Sequence, residues 1–401
     1  MFCKAIPRQR VVVTLREVFN IFSLFFRGRL IKGDKVAVLE REFASYIGTL
    51  FAIAVGSGRF GLQLILETLG VKAGDEIIVP AYTFHAVPET IKKTGAVPVF
   101  VDINSLDYNI DTAFIEDKIS PRTKAIIATH LFGTPCNLGA VLQIAKRHNL
   151  HLIEDCAQAI GAEYHSQKVG SFGDCAFFSF ETVKPFHTFG GGMICTNDSL
   201  LYEKLKTRIE GVSYPKYSRV IKKISFSLLE SVLTHPFCFT ILVYPFLLIA
   251  MQRGKDLKKA FKKAKKSFKS LEARYANFQA DCGIDKLNML KRQLDKRISN
   301  ASMLMERVKD RSVFQSPEAD SKSIFYCLAL KSNDAKRVSR ALLRLGVDVD
   351  ANLAQNCAEA MSCQDHPVAG YIANNVILIP IYPQLANRDI ERIATALNQY
   401  V

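Results

Sequence analysis

Lys184 stands a few residues beyond the apolar run Ala176 to Phe180 and ahead of the glycines Gly190, Gly191 and Gly192. A lysine amine partly withdrawn from water has a lowered pKa and can add to a carbonyl carbon to form a Schiff base. Upstream, Glu154 and Asp155 close the apolar run His151 to Ile153, and a carboxylate at the end of a buried strand needs a cationic partner or structural hydrogen bonds. Further upstream, Val55-Gly56-Ser57-Gly58-Arg59 reads as a strand ending in a small-residue turn where a helix begins. Bare backbone N–H groups at such a helix start suit a phosphate. Taken singly, each feature has an ordinary explanation: a solvated loop lysine, a structural ion pair, a tight turn. Together, an amine nucleophile, a carboxylate able to face a pyridinium nitrogen and a phosphate cradle are the contacts that pyridoxal phosphate requires.

The elements that must position these residues follow from the patterning. From Phe51 onward, short β-branched or apolar runs alternate with helical patterns: Ala52 to Val55, Phe60 to Leu69, Glu76 to Val79, Val97 to Val101, Ala125 to Thr129, Val141 to His148, His151 to Ile153 and Ala176 to Phe180. That alternation implies βαβ units, a mainly parallel sheet and helices on both faces. Ligands of such sheets sit in loops at the C-terminal strand ends. After Leu271 a long helix runs to about Val308, then an α/β remainder ends in a helix from Arg388 to Tyr400 with Asn387 as its cap. Leu15, Val18, Phe19, Phe22 and Phe26 lie at helical spacing and predict a short helix whose apolar stripe packs into the core.

The chain has 401 residues, 49% of them apolar, enough for a sizeable core. Its formal charge of +15 is local: Gln252 to Ser270 carries nine Lys or Arg against one Asp, so +8 of the excess lies in one stretch. A nucleic-acid groove is therefore not expected. The ten cysteines show no CxxC pair and no zinc spacing, which predicts reduced core residues, no metal and a cytoplasmic protein.

The residues from Gly33 to Asp198 carry a resemblance. Gly56-Ser57-Gly58, Gly74-Asp75-Glu76-Ile77-Ile78-Val79-Pro80, Thr83-Phe84, Gly95-Ala96-Val97-Pro98-Val99-Phe100-Val101-Asp102, Pro121-Arg122-Thr123-Lys124-Ala125-Ile126, His130-Leu131-Phe132-Gly133, Glu154-Asp155-Cys156-Ala157-Gln158 and Ser179-Phe180 closely resemble the DegT/DnrJ/EryC1/StrS family of sugar aminotransferases. The resemblance implies a fold-type I, aspartate-aminotransferase-like α/β enzyme with a smaller C-terminal α/β domain, working as a homodimer. It implies that Lys184 bonds pyridoxal 5'-phosphate and shuttles the substrate proton, and that Asp155 pairs with the pyridinium nitrogen. Phe84 would stack on the ring, Gln158 would sit near its 3-hydroxyl, and Ser179 with the Gly58-Arg59 backbone would bind the phosphate. The substrate implied is a small-molecule keto-sugar, aminated from an amino-acid donor such as glutamate.

Departures from the family pattern are Arg59 for a common Thr, Phe189-Gly190 for a common Gly-Glu, and Glu272 for Asn in a GxNxR-like segment aligned with Ser270 to Arg274. His187 reads as a structural loop histidine. Between Tyr214 and Leu271, where the family has a short polar segment, Ser231 to Met251 runs 21 residues without a formal charge and is followed by the basic tract. A single span would separate two halves of one fold. Pro236 and Pro245 instead suggest an interfacial hairpin, and lysines from 255 to 269 a basic helix on an anionic membrane; packing inside a dimer interface is the bland alternative. The expected domains are 1–214, the cofactor-binding domain; 215–270, the insertion; and 271–401, the connecting helix and small domain. The keto-sugar would be nucleotide-linked or lipid-linked; membrane association would be peripheral or monotopic, with the sugar then lipid-linked or handed to a membrane-bound glycosyltransferase. The rivals are a transaminase of a lipid or long-chain ketone, and a catalytically silent membrane scaffold.

Overall fold

The computed structural model describes residues 4–253, 272–351, 353–363 and 365–400. The basic tract read from the sequence at 255–269 lies outside them.

Seven strands form the central sheet: β1 (Phe51–Val55), β2 (Glu76–Pro80), β3 (Val97–Val101), β4 (Thr123–Thr129), β5 (His151–Asp155), β6 (Cys175–Ser179) and β7 (Gly192–Thr196). Their spatial order is β1-β7-β6-β5-β4-β2-β3, parallel throughout except that β7 runs antiparallel to both neighbours. Alternation along each strand feeds two cores, as period-2 geometry requires. In β4, Ala125 and Ile127 join Phe60, Leu64 and Ile65 of α3 (Gly58–Thr68), Val87 and Ile91 of α4 (Ala86–Lys93) and Leu201 of α6 (Ser199–Glu210). Ile126 and Ala128 join the opposite core, with Leu39 and Phe43 of α2 (Lys35–Ile47), Val141 of α5 (Leu138–Arg147), and Leu290 and Leu294 of α9 (Asn277–Arg307). A third core gathers β8 (Leu328–Lys331), β9 (Val376–Ile379), α10 (Ala335–Arg344) and α11 (Asn387–Tyr400). The mainly parallel sheet expected from the alternating runs is thus present, in the fold-type I architecture that the resemblance implied.

Three local expectations need correction. The last helix starts at Asn387 itself, and its cap comes from Asp389, whose carboxylate accepts the Ala386 N–H at 3.1 Å. The apolar insertion starts earlier than the uncharged run: α7 spans Tyr217–Leu233 and a second helical stretch, α8, spans Pro236–Gln252, bent 72° from it at the turn before Pro236. No single described helix is long and apolar enough to cross a membrane, but this bent pair passes that test together.

The third correction concerns α1 (Leu15–Phe26), which docks by its polar edge. Glu17 pairs with Lys286 of α9 at 2.9 Å, Asn20 donates to Asp281 at 3.1 Å, and Arg16 meets Asp285 at 3.4 Å. The capping box at Thr14 fixes the rotation of the helix. Only Ile21 and Leu24 turn inward, so the aromatic stripe points out, with Phe19 73% and Phe26 82% exposed. Core packing of that stripe does not occur in this chain.

Candidate active site

Register decides which side chains meet at the C-terminal edge of the sheet. Thr129 lies opposite Asp155, and Asp155 opposite Phe177, so Thr129, Asp155 and, two residues further on, Ser179 share the face covered by α3. Ser57 caps α3 by accepting the Phe60 N–H on Oγ at 3.2 Å, and the first-turn N–H groups that follow have no intrahelical acceptor. The backbone here is tightly drawn in. A Cβ on Gly58 would lie 3.1 Å from both the Phe178 carbonyl and the Ser179 Cβ, and one on Gly192 would lie 2.8 Å from the Gly58 nitrogen. Gly58, Ser179 and Gly192 therefore outline a cradle that only small residues leave open. Arg59 is exposed beside it. Gly56 donates to the Ala273 carbonyl at 3.0 Å, which lays residues 272–275 along the rim; Arg274 stacks on Tyr214, and Glu272 pairs with Lys93.

Neighbouring carboxylates on β5 have opposite surroundings. Glu154 is fully buried yet saturated: it accepts the N–H groups of Gly170, Phe172 and Gly173 at 2.7 to 2.8 Å and lies 3.1 Å from Nε2 of His130, whose Nδ1 accepts the Cys136 N–H. His130, Glu154 and Cys156 bring ligand-type atoms within 4.8 Å of one another, but those of the first two are committed to this network. Asp155, by contrast, accepts the Ala157 N–H on Oδ1 at 3.0 Å. Burial pushes its carboxyl pKa up, opposed by that bond and by the positive charge of Lys184. Its setting favours a cationic neighbour.

Lys184 ends a turn that its own N–H closes by donating to the Glu181 carbonyl at 2.8 Å, and its Nζ lies 4.8 Å from the ring centroid of Tyr326. Tyr326 is anchored through its N–H to the Phe132 carbonyl at 2.8 Å and through its carbonyl to the buried Arg297 at 2.8 Å. Gln158 accepts the Phe132 N–H at 3.1 Å. Phe84 follows Tyr82–Thr83, which pair with Gln355–Asn356, and is 37% exposed. His187 is buried, with Lys286 Nζ 3.1 Å from both ring nitrogens; burial and that cation hold its pKa well below the ordinary value. Lys286 in turn pairs with Glu17, so His187 belongs to the packing of α1, not to the edge where Asp155 sits.

The hydroxyls of Thr83 and Thr129 are buried at this edge without a hydrogen-bond partner among the described residues. Orphaned polar atoms beside a cradle and a buried carboxylate fit a polar, phosphorylated ring cofactor. Tyr326, Arg297 and Thr129 carry no motif of their own; Tyr326 lies 142 positions beyond Lys184, and its bonds to Phe132 and to Arg297 of α9 bring it there.

Residues 20–398 match the DegT/DnrJ/EryC1/StrS aminotransferase family. A dTDP-3-amino-3,6-dideoxy-alpha-D-galactopyranose transaminase from Aneurinibacillus thermoaerophilus is 31% identical over 380 residues, covering 93% of this chain and 92% of that protein. A GDP-perosamine synthase from Caulobacter vibrioides is 45% identical over 174 residues, 43% of this chain and 47% of that protein. Among solved structures, S. venezuelae DesV in complex with a ketimine intermediate has a TM-score of 0.77 at 25% identity, with 98% of both chains covered. The family match over residues 20–398 and sequence similarity along nearly the whole chain place the protein in the DegT/DnrJ/EryC1/StrS aminotransferase family.

Proposed function

We propose that this enzyme moves an amino group from an amino-acid donor, glutamate, to the ketone of a nucleotide- or lipid-linked sugar, with pyridoxal phosphate at the edge of the seven-stranded sheet. The observation that carries the reading is the convergence of Gly58, Asp155, Ser179 and Lys184 at the C-terminal strand ends, beside the unpartnered hydroxyls of Thr83 and Thr129. Relatives named for dTDP- and GDP-sugars support the substrate class; neither the lipid-ketone nor the scaffold alternative gains support from them. When bound, the cofactor supplies an electron sink and an amino-group carrier. Lys184 Nζ would hold it and move the proton at the substrate carbon, Asp155 would pair with its ring nitrogen, and Ser179 with the Gly58-Arg59 backbone would bind its phosphate. Phe84 would cover the ring and Gln158 would serve its 3-hydroxyl. Borohydride treatment of the protein with pyridoxal phosphate, followed by peptide mass spectrometry, tests this: an adduct on Lys184, absent from Lys184→Ala, is expected. No adduct on Lys184 in the wild type overturns it.

A second observation supports work at a membrane surface. The outward stripe of α1 and the exposed Ile221 and Leu229 of α7 flank one small core that Ile21 and Leu24 share with Val220 and Ile224, and α8, which packs on Ala5 and Leu343 instead, exposes Phe237, Ile241 and Phe246. The lysine-rich sequence at 255–269 follows directly. Apolar residues for the acyl boundary and lysines for headgroups are the composition of a peripheral helix on anionic lipid. In this reading the protein is a homodimer at a membrane surface, with 1–214 as the cofactor domain, 215–270 facing lipid, and 271–401 closing the site.

A further inference from the structure

The insertion touches the loop that carries Lys184. Glu181, three residues before it, accepts Lys223 Nζ of α7 at 2.7 Å. Thr182, buried, donates its hydroxyl to Glu230 of α7 at 2.6 Å. Lys223 and Glu230 are seven residues apart, two helical turns, and so lie on one face of α7. Across the loop, Gly190 has φ +103°, and a Cβ there would meet Lys223 Cε at 3.1 Å and Glu181 Oε1 at 3.6 Å. The space over residue 190, where a glutamate is common in the resemblance noted above, is filled here by the lysine stem, and the carboxylate is supplied from residue 181.

We infer that Lys223 and Glu230 are positioning residues for Lys184: α7 holds the Glu181-Thr182 limb of its loop in place of a side chain at 190. The physical basis is the geometry of the loop. Its return limb is already tied, since Thr188 and Gly190 both donate to the Phe180 carbonyl and Gln279 donates to the Thr188 and Gly190 carbonyls. The outgoing limb is joined to α7 by the ion pair and the Thr182 hydroxyl. Charge-assisted bonds of this kind restrict a loop that must present an amine to within fractions of an ångström.

The inference rests on Lys184 bonding the cofactor, and two readouts separate the two claims. Hydrogen exchange of peptides covering 180–190 is measured in the cofactor-free protein, and the pH midpoint of the visible band in the cofactor-loaded protein. For Lys223→Met, Glu181→Gln and Thr182→Val, exchange in that loop is expected to accelerate about tenfold or more while the far core keeps its protection. The midpoint of the band is expected to shift by about half a pH unit or more, and Lys223→Arg to restore both. Thr182→Val reads the second contact should Lys223→Met not fold. Wild-type exchange and midpoint in all three variants overturn the inference. A wild-type protein without a visible band sinks the cofactor reading, and the exchange arm still decides on the clamp.

Discussion

A carboxylate buried at the end of β5 opposes folding on its own, because burial favours its neutral form and one backbone N–H is a modest return. Asp155 is therefore a residue at which stability and chemistry pull apart. Asp155→Asn keeps the volume and an acceptor for Ala157 but removes the charge. It is expected to raise the thermal midpoint of the cofactor-free protein and to lower kcat about 100-fold or more, roughly 2.7 kcal/mol of barrier. A variant that is no more stable, or as active as the wild type, contradicts the role given to this carboxylate. Asp155 and Lys184 were legible in sequence because strand ends and glycine runs mark them. Tyr326 was not, since its position over Lys184 depends on Arg297 reaching it from another element. Without the resemblance the acidic pair could not be divided: Glu154 and Asp155 take opposite faces of β5, and the face decides between a saturated structural group and an available one.

At the scale of elements, Glu40 ties α2 to β1 by accepting the Ala54 N–H at 2.8 Å. Burial pushes its pKa up to about 7, against that bond and the positive charges of Lys206 and Arg274. A carboxyl raised in the folded state binds its proton more tightly there than in the unfolded chain. Its contribution is thus complete below the ordinary carboxylate range and is lost as pH rises toward and through 7. Glu40→Gln retains the acceptor and cannot ionise. Its thermal midpoint is expected to match wild type near the low end of that window and to exceed it by about 2 to 4 °C at about pH 8, with a loss on the order of 2 kcal/mol in the wild type. Identical pH profiles would show that Glu40 does not titrate in this window. Helix α1 shows the limit of periodicity. Its spacing gave the helix correctly, but an apolar stripe states only that something apolar must cover it. The Glu17-Lys286 and Asn20-Asp281 contacts turn the stripe away from the core, and no pattern within Leu15–Phe26 foretells partners on α9.

For the whole molecule, parallel alternation and the C-terminal strand edge were readable because each strand announces its own face. The pairing of Tyr82–Thr83 with Gln355–Asn356, or of the 272–275 segment with Val55–Gly56, joins distant parts of the chain that carry no shared motif. The exposed faces of α1 and α7–α8 make a prediction at this scale. Phe19→Ser, Phe22→Ser and Phe26→Ser, singly or combined, are expected to change folding stability by about 0.5 kcal/mol or less each, since these side chains are exposed. Each is also expected to cost about tenfold in affinity for phosphatidylglycerol-containing vesicles by sedimentation. Loss of a dimer in place of vesicle binding would assign the face to a second subunit. The pairing of Gly190 with Lys223 bears on how such an insertion persists. A glutamate restored at 190 would meet the lysine stem and a strained φ, while a shortened residue 223 would leave Glu181 without its partner on α7. Either substitution alone is disfavoured while the other residue stands, so positions 190 and 223 constrain one another whatever the rest of the 215–270 segment does.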